Sequence, residues 1–116
     1  MEHMDEVREE LRQPALDLHA LIPDVMKGYA ALSGAAFAEG ELSSGVKEMI
    51  ALVIAVTREC DGCIVAHARG CARAGVTRQQ VAEAMGVAVA MNGGTGTVWG
   101  PRALRSFDEA IAARKA

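Results

Sequence analysis

The sequence predicts an all-α fold, and three observations carry that reading. Alanine is abundant while aromatics are confined to Tyr29, Phe37, Trp99 and Phe107, so a core must be built from small and aliphatic side chains, the composition of closely packed helices. Apolar residues recur at spacings of three and four along most of the chain. Capping signals and glycines punctuate those stretches at helix-like intervals. With 116 residues, 51% of them hydrophobic, residues 1–116 are expected to form a single helical domain of five to six helices, with a homo-oligomer burying the apolar excess.

From Asp5 to Leu21 the positions Val7, Leu11, Ala15, Leu18 and Leu21 mark one helix face, and residues 1–20 form an N-terminal arm that Pro14 should kink or split. Pro23 suits a first helical turn, and a second helix runs through Val25, Met26, Tyr29 and Leu32 towards Phe37, ending before the Glu39-Gly40-Glu41 turn. Ser43 or Ser44 caps the next element. The run Met49–Val56 is consistent with a buried strand or with a helix apolar on all sides, and its length and alanines favour the helix. Cys60 to Ala74 reads as a further helix closed by Gly75. Thr77-Arg78-Gln79-Gln80 then matches a capping box opening a helix through Val81, Met85, Ala88 and Met91. The Asn92–Gly96 segment interrupts the pattern, and Gly100-Pro101 either interrupts it again or starts a last helix holding Leu104, Phe107 and Ile111.

Charge works by exclusion. Twelve Lys and Arg against fifteen Asp and Glu give a net charge of -3, without the basic stripe or stacking aromatics of a nucleic-acid binder. The N-terminus Met1-Glu2-His3-Met4-Asp5-Glu6 is acidic where a signal peptide is basic and then apolar, and no apolar run approaches the roughly 20 residues of a membrane span. A cytoplasmic protein, binding neither nucleic acid nor membrane, is the expectation.

Residues 43–91 hold the chemistry. Cys60-Asp61-Gly62-Cys63 opens a helix and His67 follows, so Cys63 and His67 stand at i and i+4 on one face, where base and nucleophile can touch. Amides at a helix start favour a thiolate, so one cysteine should have a lowered pKa. Glu48 is a carboxylate in an apolar helix and needs a partner. In an antiparallel hairpin turning near Glu59-Cys60 it lies level with Cys71 and about one turn, roughly 6 Å, from facing His67. Glu48, His67, Cys60 and Cys63 would then form a proton-relay chain. A structural alternative is a non-enzymatic oligomeric binding module with inert or metal-binding cysteines, Glu48 facing solvent at the helix start. Iodoacetamide separates the two, since a low-pKa thiol alkylates fast.

Other residues read as structural. Cys60, Cys63, His67 and Cys71 spread over about 16 Å of one helix and cannot close one zinc tetrahedron, so neither metal nor cofactor is expected. Cys71 reads as a small buried packing residue, the methionines as core and interface filler, and His3 and His19 as surface residues of the arm with no acidic or thiol neighbours at helical spacing. The glycines at 93–96 lack the Lys and preceding strand of a phosphate loop and read as a helix break that permits close packing.

The spacing E-x11-C-x2-C-x3-H of Glu48, Cys60, Cys63 and His67, with Lys47-Glu48-Met49-Ile50-Ala51-Leu52 before it and Gly93-Gly94 and Val98-Trp99-Gly100-Pro101-Arg102 after it, resembles the alkylhydroperoxidase D-like, redox-active branch of the carboxymuconolactone decarboxylase family. The resemblance covers roughly residues 20–110. It implies a helical subunit in homo-trimers or homo-hexamers and a thiol-dependent hydroperoxide reductase, or a general disulfide oxidoreductase. In that reading Cys63 is the peroxidatic thiol, Cys60 the resolving one, Glu48 and His67 relay protons, and a lipoyl-bearing or thioredoxin-like dithiol restores the pair. Gly62 stands where peroxidase members often carry histidine, which bears on peroxide turnover and leaves the dithiol chemistry in place. Lactone decarboxylases of the family generally lack the cysteine pair.

Overall fold

Six α-helices account for nearly all of residues 3–115, the part of the chain that the computed structural model describes. They are α1 (His3–Leu21), α2 (Pro23–Phe37), α3 (Ser44–Thr57), α4 (Asp61–Arg73), α5 (Arg78–Asn92) and α6 (Gly94–Lys115). Met1 and Glu2 of the acidic arm, and Ala116, lie outside the described residues. The helix count agrees with the expectation from sequence, and the caps are where the residue types place them. Ser43 Oγ accepts the Val46 N–H, and Thr77 and Gln80 make both bonds of a capping box, satisfying amides that a helix start leaves unpaired.

Three boundaries differ from the sequence reading. Pro14 neither splits nor ends α1, which runs unbroken through it. The break between α5 and α6 is one residue, Gly93, at φ 65° and ψ -134°, a conformation that a side chain strongly disfavours. The last helix therefore starts at Gly94, not at Gly100-Pro101, and Pro101 is carried inside it. Gly96 explains the tightness of that corner. A Cβ there would stand 2.8 Å from the Val89 Cα and 2.9 Å from the Ala88 carbonyl oxygen, so α6 folds back against the α5 backbone only because the residue is glycine.

The core sits among α3–α6. Leu52 and Val56 of α3, Ile64 and Cys71 of α4, Val81 of α5 and Phe107 of α6 are its largest fully buried side chains, with Ala55, Ala68, Ala88 and Ala103 filling close helix crossings. A single aromatic in an aliphatic and alanine-rich core matches the composition. α1 lies across α4 and buries Met4, with Val7 packed against the core. α2 buries no residue at all. The helix expected to be apolar and buried all round, α3, is buried on one side only: Val46, Ile50 and Ile54 remain exposed. The radius of gyration, 14.5 Å, exceeds the roughly 13 Å of a close-packed chain near this length, as an arm of two peripheral helices requires.

Candidate functional site

Cys60 is held from both sides by backbone geometry. Its N–H donates to the Ala55 carbonyl while the Glu59 N–H donates to Val56, the paired bonds of a Schellman ending for α3. That ending puts Glu59 at φ 52°, a left-handed conformation that favours glycine. Cys60 is also the N-cap of α4, its sulfur accepting the Cys63 N–H at 3.3 Å. One residue thus closes one helix and opens the next, and the chain reverses there as the hairpin reading anticipates. Cys60 and Cys63 are joined as a disulfide with their Cα atoms 5.3 Å apart. Cys63 is the exposed member and Cys60 is half-buried.

The antiparallel run of α3 against α4 brings Glu48 to His67. Its Oε2 lies 2.8 Å from His67 Nδ1, with the two side chains only 15% and 28% exposed. An ionised carboxylate can only accept, so Nδ1 carries the proton and Nε2 presents its lone pair or a second proton elsewhere. Among the described residues no hydrogen bond joins His67 to either cysteine sulfur. Cys63 and His67 occupy neighbouring turns of α4, and Glu48 reaches His67 from α3.

Further residues complete this site, none of them assigned a role there from the sequence. The Phe37 ring stacks on the His67 imidazole, with centroids 5.5 Å apart and planes at 13°, and α2 is tied to the start of α3 by Ser44 Oγ and Lys47 Nζ donating to the Phe37 and Ala38 carbonyls. Gly70 faces Glu48. A Cβ at Gly70 would overlap the Glu48 carboxyl group, 2.6 Å from Oε1 and closer to its other atoms. Asp61, beside the disulfide, faces Arg102 at 4.0 Å, and Arg102 lies over the Trp99 ring at 4.7 Å. The signal for Gly70 was available as a glycine one turn after His67, and the Trp99–Arg102 pair lay in the stretch that carries the family resemblance.

Two further residues of the site have partners on α1. His3, a surface residue as expected, has its Nε2 3.2 Å from Asp61 Oδ2, a pairing across 58 positions that helical spacing cannot reveal. Gly62 is packed by the arm: a Cβ there would be 3.0 Å from Leu11 Cδ1, so Leu11 fills the space where a larger side chain would begin. Cys71 is free and fully buried. Burial, with the nearby Glu48 charge, pushes its thiol up to about 12, which keeps it protonated and unreactive. No group of three His, Cys, Asp or Glu side chains suited to a metal ion occurs among the described residues. None of their helices is long and apolar enough to cross a membrane.

Comparison with known proteins follows the same lines. Residues 23–106 match the carboxymuconolactone decarboxylase family. An uncharacterized protein of Cupriavidus necator is 36% identical over 86 residues, 74% of this chain and 76% of the relative. Uncharacterized protein 4 in the cox locus of Paracoccus denitrificans is 37% identical over 81 residues, covering 70% and 73%. Among solved structures, the apo form of a carboxymuconolactone decarboxylase family protein from Legionella pneumophila superposes with a TM-score of 0.89 at 30% identity, over 93% of this chain and 96% of that one.

Proposed function

The chain belongs to the carboxymuconolactone decarboxylase family, and we propose that within it this protein is a dithiol hydroperoxide reductase. The observation that carries the reading is the Cys60–Cys63 disulfide at the start of α4, one turn from an imidazole whose Nδ1 is held by Glu48.

In the reduced enzyme the exposed Cys63 thiolate attacks the distal oxygen of a hydroperoxide. The O–O bond breaks, Cys63 becomes a sulfenic acid, and the departing alkoxide takes a proton to leave as alcohol. His67 supplies that proton, directly or through water, and Glu48 stabilises the imidazolium beforehand. The Cys60 thiolate then attacks the Cys63 sulfur, forming the disulfide and releasing the hydroxyl with one proton as water. An external dithiol, lipoyl-bearing or thioredoxin-like, completes the cycle. Its thiolate attacks Cys63, the accessible sulfur, and Cys60 leaves as a thiolate stabilised by the Cys63 N–H and the α4 start. The dithiol's second thiolate releases reduced Cys63. Such a cycle belongs in the reducing cytoplasm.

The same exchange half-reaction without peroxide is a disulfide oxidoreductase. Gly62 favours that second reading, because the histidine frequent in peroxidases is missing beside Cys63. α2 supports a homo-oligomer, trimer or hexamer: Val25, Tyr29 and Leu32 are 64%, 65% and 68% exposed, and a helix with no fully buried residue in its own subunit leaves an apolar face for an outside cover. Light scattering on a size-exclusion column measures that assembly.

The deciding experiment is intact mass of the fully reduced protein before and after one equivalent of an organic hydroperoxide. The wild type should lose about two mass units rapidly as the disulfide forms. Cys63→Ser should consume no peroxide, and Cys60→Ser should stop at a sulfenic acid or mixed disulfide. Full activity in either variant overturns the assignment, and disulfide exchange without peroxide consumption selects the oxidoreductase.

A further inference from the structure

A groove of about 670 Å³ runs between α1 and α4, lined by Gly62, the residue directly before Cys63. Its volume lies within the roughly 300–1,000 Å³ of small-molecule sites. Its apolar surface comes from Leu11 and Ala15 of α1 and from Val65 and Ala66 of α4, while Arg8, Arg12, Arg69 and Arg73 supply four guanidinium groups to the same lining. Asp5 and Glu9 are the carboxylates present, so the groove carries an excess of two positive charges. Arg12 is engaged, its Nη2 3.9 Å from Glu9 Oε1. Arg69 is the half-buried member, and burial together with the neighbouring charges of Arg8 and Arg73 lowers its pKa. In a protein of net charge -3, such a concentration of cations beside an apolar trough is not a general surface property.

From this combination of an alkyl-sized trough and clustered guanidinium groups, we propose that the α1–α4 groove binds a long-chain carboxylate. The chain lies along Leu11, Ala15 and Ala66, and the carboxylate is held by Arg8, Arg69 and Arg73. Guanidinium groups are suited to this role, because they match a carboxylate with paired N–H donors. Since Gly62 lines the groove and Cys63 follows it, the proposal names a substrate class for the reaction above, hydroperoxides of fatty acids. That step rests on the hydroperoxide reductase reading; the binding itself does not.

Dodecanoate, dodecanol and dodecyltrimethylammonium are titrated calorimetrically into the full-length oxidised protein below their micelle concentrations. Dodecanoate should saturate at one site per chain, about tenfold or more tighter than dodecanol, with the ammonium weakest. Replacing two exposed cations, Arg8→Met with Arg73→Met, should weaken dodecanoate about tenfold and leave dodecanol unchanged. Equal affinity for all three, or no saturation by dodecanoate, overturns the proposal. So does an oligomer that covers the groove, revealed if Leu11→Glu dissociates the assembly and dodecanoate does not bind. In turnover, the double variant should raise KM for a fatty-acid hydroperoxide with kcat unchanged and leave cumene hydroperoxide unaffected. Binding without peroxide consumption refutes the enzymatic reading alone. Consumption without dodecanoate binding refutes the groove alone.

Discussion

Replacing Gly70 by alanine isolates the role of Glu48 without touching a titrating group. Alanine is favoured over glycine inside a helix by about 1 kcal/mol, so a neutral site would gain stability. Here the added methyl would overlap the Glu48 carboxyl group, with Oε1 only 2.6 Å away. The backbone of α4 is fixed by the core, so the carboxylate must move by about 1 Å to reach ordinary van der Waals separation. That displacement takes the 2.8 Å contact to His67 Nδ1 beyond hydrogen-bond range. Losing a hydrogen bond to a charged group costs about 1.5–3 kcal/mol, which offsets the helix gain and leaves a net loss of about 0.5–2 kcal/mol. The rate of peroxide-driven disulfide formation should fall about tenfold to a hundredfold, close to the effect of Glu48→Gln, because the imidazole loses the group that orients it. Urea unfolding and single-turnover mass spectrometry measure the two effects. In a Glu48→Ala background the overlap disappears, so Gly70→Ala should stabilise by about 1 kcal/mol and change the rate no further. Wild-type reactivity in Gly70→Ala, or equal losses in both backgrounds, refutes the placement of Glu48 against Gly70.

Further outcomes follow from individual contacts. Phe37→Leu should cost about 0.5–1.5 kcal/mol and alter the pH profile of disulfide formation through a loosened His67, whereas Phe37→Tyr keeps the stack and the profile. Cys71 holds its proton to about 12 in the folded state but ionises near its ordinary value when unfolded, so the folded state binds more protons in between. Stability should therefore be unaffected below about pH 8.5 and fall by up to about 1.4 kcal/mol per pH unit above it; Cys71→Ala should flatten that decline, and an unchanged slope in alkaline urea titrations refutes the origin. Glu59→Gly relieves the left-handed residue at φ 52° and should raise the unfolding free energy by about 1 kcal/mol without slowing thiol chemistry.

Local rules account for what the sequence determined by itself. Helix periodicity, the Thr77–Gln80 capping box, the Ser43 cap and the Cys60–Cys63–His67 spacing each depend on residues within a turn or two of one another, where geometry is fixed by bond lengths and helix pitch. The hairpin offset between Glu48 and His67 was legible for the same reason, since two antiparallel helices joined by a short turn leave little freedom of register. Pro101 misled because the packing of buried Gly100 and Ala103 beside it sustains a helix across a missing amide, whereas nothing in the structure explains why the exposed stretch of α1 runs unbroken through Pro14.

Tertiary structure alone decided the rest, wherever partners are remote in sequence. Phe37 reaches His67 across 30 positions and His3 reaches Asp61 across 58; no periodicity encodes such meetings, which depend on how helices cross. The need for glycine at 70 and 96 arises from what a neighbouring helix places there, a carboxylate in one case and a backbone in the other. The arginines of α1 and of α4 lie about 60 positions apart, and only the crossing of those helices brings them into one electropositive groove.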